Sequence, residues 1–414
     1  MVSAMNGTAY SLETTGTVLA GPQASSDSAD AMDVLVTSRI EDVEAVWRTL
    51  AAGAIESPGQ SYDFIRLWVT DRQVAEADQR YIVGHIDGRA VALIPLQRRK
   101  IAGLSVFTWF PGSNAGCYAP IADYNHLAAL GPERRRALWK AMTARLEGGD
   151  VVYLRSIPRD VGGHPGLFDE LGTPLAVDML YRSQYGSWEE CDRLQRSKSR
   201  RKHDRQQGDR LNAMGAVAFE ELRNSDDTRS IIATMFAQRS ARFRAMGIRD
   251  TFVCDDLIGF YHTAASAGSG VDVRLHVLRL NGDIVAVRYN IVHNERMFCL
   301  ISSMSDDPAI QNGSPGKQCL LRVMQSVFDA GIRAFDMGQG VTDEKRHWCN
   351  VQIPLRQHYV SLNGRGALAV RGHQAFQKIR AAIKASPQLK AGLRGLRQVM
   401  ERVGGPRGAA EKSE

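Results

Sequence analysis

A chain of 414 residues with 44% hydrophobic and 23% charged side chains has the composition of a globular protein of two or three domains, which excludes a disordered or fibrous chain. The net charge of +7 and a pI near 9.1 fit an anionic partner, whether nucleotide, phosphoglycan, RNA or membrane surface, without choosing among them. The six cysteines (Cys117, Cys191, Cys254, Cys299, Cys319, Cys349) are scattered without a CxxC pair, a pattern of reduced core thiols rather than of a disulfide framework or zinc site, and no metal is expected.

Residues 1–31 are rich in Ser, Thr, Gly, Ala and Asp and are expected to stay mobile. They lack a basic region followed by an apolar run, and nowhere do about 18 consecutive apolar residues occur, so neither signal peptide nor transmembrane helix is expected. The expected compartment is the cytoplasm. Residues 32–38 read as a strand, 41–52 as a helix with Val43, Val46, Trp47 and Leu50 on one face, and 62–69 as a second helix.

The segment RYIVGHIDGRAVALIPL (80–96) reads as a hairpin, two β-rich runs flanking Asp87-Gly88, a pair suited to the positive φ angles of a type I′ turn. RLHVLRLNGDIVAVRYN (274–290) superposes on it without a gap, with Asn281-Gly282 at the turn. ALWKAMTARLEGGDVVYL (137–154) lines up in the same way with CLLRVMQSVFDAGIRAFD (319–336), Gly149 against Gly331. Each half reads strand, two helices, hairpin, further strand, helix, strand, so the chain holds two copies of one α/β domain. The expected divisions are 1–31, 32–192, 193–362 and a basic helical tail at 363–414.

Between the copies, RLQRSKSRRKHDRQQGDRL (193–211) sets eight Lys and Arg residues against Asp204 and Asp209. It is either a solvated helix or an anion-binding face; the absence of interleaved aromatics and of an RNA-binding motif argues against nucleic acid. In QNGSPGKQCLLRVMQSVFDAGIRAFDMGQGVTDEKRHW (311–348), a Gly-rich turn opens an apolar-periodic helix closed by Gly331, and a short strand ending in Phe335-Asp336 follows. Helix N-termini present free N–H groups and the positive end of the dipole, so this turn suits a phosphorylated ligand, with Lys317 adding a charge. Pro at a helix start and Gly at its end are also ordinary punctuation. Opposite Ser314-Pro315-Gly316-Lys317 the first copy has Pro132-Glu133-Arg134-Arg135, and opposite Asp336 it has Leu154, which assigns the chemistry to the second copy. The tail alternates cations with apolar residues at helical spacing, for packing or for contact with an anionic membrane, peripheral at its inner face.

The order of a basic RRK segment, helix pair, LxGxxVA hairpin, SPG turn with helix and G-x-x-x-F-D-x-G-x-G strand end resembles the CelD/BcsL family of GNAT acetyltransferase-like proteins, associated with bacterial cellulose and exopolysaccharide production. The doubled architecture is shared with Fem-type aminoacyltransferases. The resemblance covers about 32–362 and is strongest from 193 to 348. Members usually carry a Tyr-Lys pair after the Asp-x-Gly-x-Gly strand end; here Glu344 stands in place of the aromatic beside Lys345.

The resemblance implies tandem GNAT-like domains, each a mixed central sheet flanked by helices. It further implies acetyl-CoA or another acyl-CoA as co-substrate, its pyrophosphate over Gly313, Ser314, Pro315 and Gly316 and near Lys317. A bulge in the strand at 297–303 would polarise the thioester, and a sugar, nucleotide-sugar or lipid-linked glycan precursor would be the acceptor. Direct attack needs no covalent intermediate, so no cysteine is assigned as nucleophile. Asp336 is the first candidate base or acceptor-orienting group, at a strand end beside Gly338 and Gly340, themselves candidate substrate contacts; a turn acid is the plainer reading. Lys345 would bind phosphate or pair with Asp336, and His347 would serve as a base near neutral pH unless it is a surface histidine. Arg288, a charge on an apolar strand, points into a cleft or sits at an edge, and Arg239 and Arg242 contact the acceptor or are solvated helix charges. The alternatives are an aminoacyl-tRNA-dependent transferase and a non-catalytic accessory protein of a polysaccharide-synthesis complex.

Overall fold

The computed structural model describes residues 32–112, 115–224, 228–247 and 250–385. The segment expected to be mobile at 1–31 and the tail beyond residue 385 lie outside the described residues. In the first half, β1 (Met32–Thr37), α1 (Glu44–Leu50), α2 (Tyr62–Asp71), β2 (Gln79–Ile86), β3 (Arg89–Ile101) and β4 (Leu104–Thr108) follow in order. After them come β5 (Ile121–Ala122), α3 (Tyr124–Ala129), α4 (Gly131–Ala144), β6 (Val151–Pro158), the small pair β7 (Asp160–Val161) and β8 (His164–Pro165), and β9 (Thr173–Gln184).

The second half opens with α5 (Trp188–Gln195) and α6 (Lys198–Ala213), then repeats the order: β10 (Val217–Arg223), α7 (Thr228–Ala245), α8 (Thr251–Cys254), α9 (Ile258–Ala264), β11 (Asp272–Leu280), β12 (Asp283–His293) and β13 (Arg296–Met304). It closes with α10 (Pro308–Gln311), α11 (Pro315–Asp329), β14 (Ala334–Gln339), α12 (Asp343–Trp348), β15 (Val351–Ser361) and α13 (Gly364–Ala385).

The repeat extends to backbone detail. Both hairpin turns hold two left-handed residues, Asp87 (φ 52°) with Gly88 (φ 76°) and Asn281 (φ 53°) with Gly282 (φ 90°), which matches the right-handed strand twist as a type I′ turn does. Both hairpins also slip register at the same place, after Gly84 in β2 and after Leu278 in β11. The glycine that ends the long helix does not match: Gly331 is left-handed in the second copy, whereas Gly148 rather than Gly149 takes that conformation in the first.

The two copies are not separate bodies. Among the described residues thirteen strands form one mixed sheet, in which the path β1-β2-β3-β4-β6-β15-β9-β14-β13-β12-β11-β10 runs from one half into the other. β15, the last of the described strands, pairs with β6 of the first half, and β9 of the first half pairs with β14 of the second. The halves thus exchange their closing strands, so residue 192 divides the sequence but not the sheet. The largest apolar core is shared as well: Phe260 of α9 packs edge-on against Phe64 and Trp68 of α2, each at 5.1 Å between centroids. A second core lies on the opposite face of the second half, between α11, α5, α6 and strands β11 to β14.

Candidate active site

The feature that shapes the site is where two neighbouring strands part. β13 runs parallel to β14 and pairs with it only from Arg296 opposite Ala334 to Phe298 opposite Asp336. Beyond that point the strands separate, and β13 itself is irregular: Tyr289 faces Ile301 and Asn290 faces Cys299, which leaves Leu300 as a bulge. The expected bulge at 297–303 is therefore present, at the mouth of the opening. In the first copy β4 and β6 also touch at only two positions, Val106 with Val151 and Phe107 with Val152.

Helix α12 reaches both sides of this opening. Thr342 caps it by accepting from Lys345 N. Glu344 takes a hydrogen bond from Arg288 of β12 at 3.3 Å, and Lys345 Nζ donates to the Gln339 carbonyl of β14 at 2.6 Å. Arg288 is buried, and its guanidinium also reaches Cys299 Sγ at 3.8 Å, so it faces the cleft rather than a sheet edge. Burial pushes the Lys345 ammonium below its ordinary value, with Cys299 and Asp336 acting in the opposite sense. Burial raises the Cys299 thiol and pushes Cys319 up to about 11 and Cys349 to about 12, which disfavours the thiolate at each.

Asp336 occupies a different position from the one expected of a free base. It is buried, pairs with Arg182 at 3.0 Å and accepts from Gly338 N at 2.8 Å. Arg182 continues to Glu56 at 2.8 Å, and Arg296 meets the same carboxylate at 3.1 Å. Glu56 is held below the usual carboxylate range because Arg182 and Arg296 outweigh the cost of its burial. Asp336 is thus a buried, ion-paired residue of the strand end. Sequence reading missed Glu56, Arg182 and Arg296; a lone arginine in the apolar run MLYRSQY was the available signal, the same one that marked Arg288.

The turn at 313–317 also differs. The amides of Gly313 and Ser314 are bonded to the carbonyls of Ile310 and Gln311, Pro315 has none, and Lys317 N bonds to Ser314 O. Of the amides expected over a pyrophosphate, that leaves Gly316. Helix α6 lies against this turn: a Cβ on Gly313 would press on Leu211 at 2.9 Å, and Gln207 Nε2 donates to Ser314 Oγ at 2.8 Å. Gln207 Oε1 and His347 Nε2 are buried there without a partner among the described residues. Because Ser314 Oγ can donate as well as accept, Gln207 can instead turn its amide N–H₂ to an anion. Gly316 N–H, the exposed Lys317 and Gln207 therefore suit one phosphate group, not a four-amide cradle. His347 belongs to this cluster rather than to Asp336: burial lowers it, and Arg200, Arg196 and Lys317 add to the effect.

The remaining candidates are dispersed. Gly338 and Gly340 are left-handed turn residues, with the Gly340 amide bonded to Met179 O. Arg239 is committed to Asp250 at 3.3 Å and lies over Phe243 and Phe252, and Arg242 is exposed on α7. Beside them on α7, Gln238 reaches the sheet, accepting from Ser303 Oγ at 2.8 Å just beyond the bulge. No group of His, Cys, Asp and Glu able to hold a metal occurs among the described residues, and no described helix is long and apolar enough to cross a membrane.

Residues 198–346 match the family model described as an acetyltransferase (GNAT) domain. Over that stretch the chain is similar to a GNAT acyltransferase domain. Its known structural relatives are distant. FemX superposes with a TM-score of 0.50 at 12% identity, over 79% of this chain and 97% of that one. L-PGS from Bacillus licheniformis gives 0.48 at 14%, over 81% and 97%, and a tandem GNAT protein of the clavulanic acid pathway gives 0.38 at 11%, over 80% and 99%. A search of the curated proteins returns no match. The FemX likeness establishes the doubled fold alone.

Proposed function

We propose that the chain transfers an acyl group from acyl-CoA to an amine or hydroxyl of a sugar, nucleotide-sugar or lipid-linked glycan precursor, in bacterial polysaccharide synthesis. The observation that carries this reading is the β13–β14 opening, with its bulge at Leu300 and with Arg288 and Lys345 at its rim. Beyond Phe298 the edge of β13 has no β14 partner, so a backbone N–H beside the bulge is available to a thioester oxygen as charge develops on it. The acceptor's lone pair forms the new bond to the acyl carbon, the C–S pair leaves with the CoA sulfur, and the acceptor's proton passes to a base. Lys345 supplies that base: its depressed pKa makes the neutral amine available at lower pH than for an ordinary lysine. Asp336 acts at one remove, through the Arg182 pair that fixes the strand end.

The acyl-CoA phosphates would lie at Gly316, Lys317 and Gln207. Thiol release from acetyl-CoA, followed over a panel of amino sugars and sugar phosphates, tests the reading. Turnover that falls about 10²- to 10⁴-fold in Lys345→Met is the expected outcome. No release above the uncatalysed rate with any acyl-CoA and acceptor would refute it.

A second reading, transfer from aminoacyl-tRNA, draws on α6 and the residues before it. Arg196, Arg200 and Arg201 are occupied by Asp192 and Asp204, but Arg193, Lys198, Lys202, Arg205 and Arg210 remain exposed. RNA binding at this face would weaken steeply with salt.

A further inference from the structure

A pocket of about 460 Å³ lies at the seam where the exchanged strands meet, bounded by β6, β9, β15, the end of β14 and helix α13. Its lining holds three cations, Arg155, Lys378 and Arg380, against one carboxylate, Asp178. None of the three is ion-paired with a carboxylate among the described residues. Asp178 accepts from the Met179 amide at 2.8 Å, and its single charge leaves the lining net positive. Ser156, Gln339 and Gln357 supply neutral hydrogen-bonding groups to the same lining. A cavity with uncompensated positive charge and several neutral hydrogen-bonding groups is suited to a phosphate ester carried on a polar body.

The pocket is coupled to the proposed reaction centre through one residue. Gln339 lines it, and the Gln339 carbonyl is the group that takes Lys345 Nζ at 2.6 Å. The side chain of Gln339 is held from the other side by Ser156 Oγ, which donates to Oε1 at 3.0 Å. Ser156 is a strand residue with φ 56°, a conformation that costs a non-glycine residue energy, and it turns its hydroxyl to this contact. A molecule seated against Gln339 is therefore one residue from Lys345.

We infer that this pocket binds the acyl acceptor by a phosphate ester, with Arg155, Lys378 and Arg380 on the phosphate. The inference deepens the acyl-transfer reading and rests on it for the word acceptor. The ester has two sources, a soluble sugar phosphate or a phospholipid headgroup. The second is raised by α13, where Phe376 and Ile379 stand exposed beside Lys378 and Arg380.

The test titrates the full chain with glucosamine 6-phosphate in one arm and phosphatidylglycerol vesicles in the other, alongside acetyl-CoA. Binding in either arm should weaken at least about tenfold in Arg155→Gln and in the Lys378→Gln/Arg380→Gln double variant, with acetyl-CoA affinity unchanged. The soluble arm would identify a sugar phosphate, and the vesicle arm a lipid. Failure of both probes to bind, or binding equal in wild type and variants, overturns the inference. Phosphate-ester binding that depends on Arg155 without any acetyl-CoA binding would keep the pocket and discard the acyl-CoA reading. The double variant guards against misfolding of Arg155→Gln, because Lys378 and Arg380 are exposed on α13.

Discussion

Arg182 stands between two buried carboxylates, Glu56 and Asp336, and is the only ion-pair partner of Asp336 among the described residues. Arg182→Met should cost about 3–5 kcal/mol in urea unfolding, since Asp336 would be left charged and unpaired while Glu56 keeps Arg296. A loss below about 1 kcal/mol would mean that the network is relaxed by water. His358 gives a pH signature. Burial lowers it from 6.5 to about 4, while its ring nitrogen bonds Leu171 O at 2.9 Å. Below about pH 6.5 the unfolded chain takes a proton that the folded chain refuses until about pH 4, so stability falls as pH falls through that window, by up to ~3 kcal/mol. Denaturation of His358→Asn at pH 7.5 and 4.5 should show a smaller drop than the wild type. At this scale the sequence was half legible. Arg288 and Lys345 stood out as charges in apolar or motif settings, whereas the burial of Asp336 depends on Arg182, far away in sequence, and could not be read from a strand-end pattern.

The elements most legible in sequence are those whose geometry is set locally. A two-residue turn must hold both residues at positive φ, so Asp-Gly and Asn-Gly between β-rich runs announce a hairpin, and both are present. Gly282→Ala should cost about 1–2 kcal/mol from backbone conformation alone, because a Cβ there would meet no neighbour. Gly53→Ala, with equal room and no positive φ, should be nearly neutral; equal losses would show that the turn's φ is not the cause. The SPG turn was legible as a helix start but not as a binding surface. Whether its amides are free depends on α10 and α6, which press on it from outside the motif. The attachment of α13 is another contact between distant segments: a Cβ on Gly366 would collide with the Asp150 carbonyl, so Gly366→Ala should loosen α13 and weaken phosphate-ester binding at the seam.

At the scale of the whole molecule, the internal repeat revealed two copies, while the exchange of β9 and β15 stayed hidden because ladder pairing leaves no mark on either strand's own pattern. The shared sheet and the Phe64–Phe260–Trp68 packing predict one cooperative unfolding transition. Tryptophan fluorescence and far-ultraviolet circular dichroism should trace coincident urea curves, and separated midpoints would show that the halves unfold independently. The shared frame also brings the two sides of the proposed chemistry together. The opening between β13 and β14 belongs to the second copy, and the seam pocket is built from strands of both. On the proposed function, this frame binds acyl-CoA. Calorimetric titration of the full chain with acetyl-CoA and longer acyl-CoAs, repeated on Lys317→Glu, tests it most directly. Saturable binding, weakened in the variant by charge reversal at the α11 start, is the predicted result. The absence of saturable binding by any acyl-CoA would contradict it.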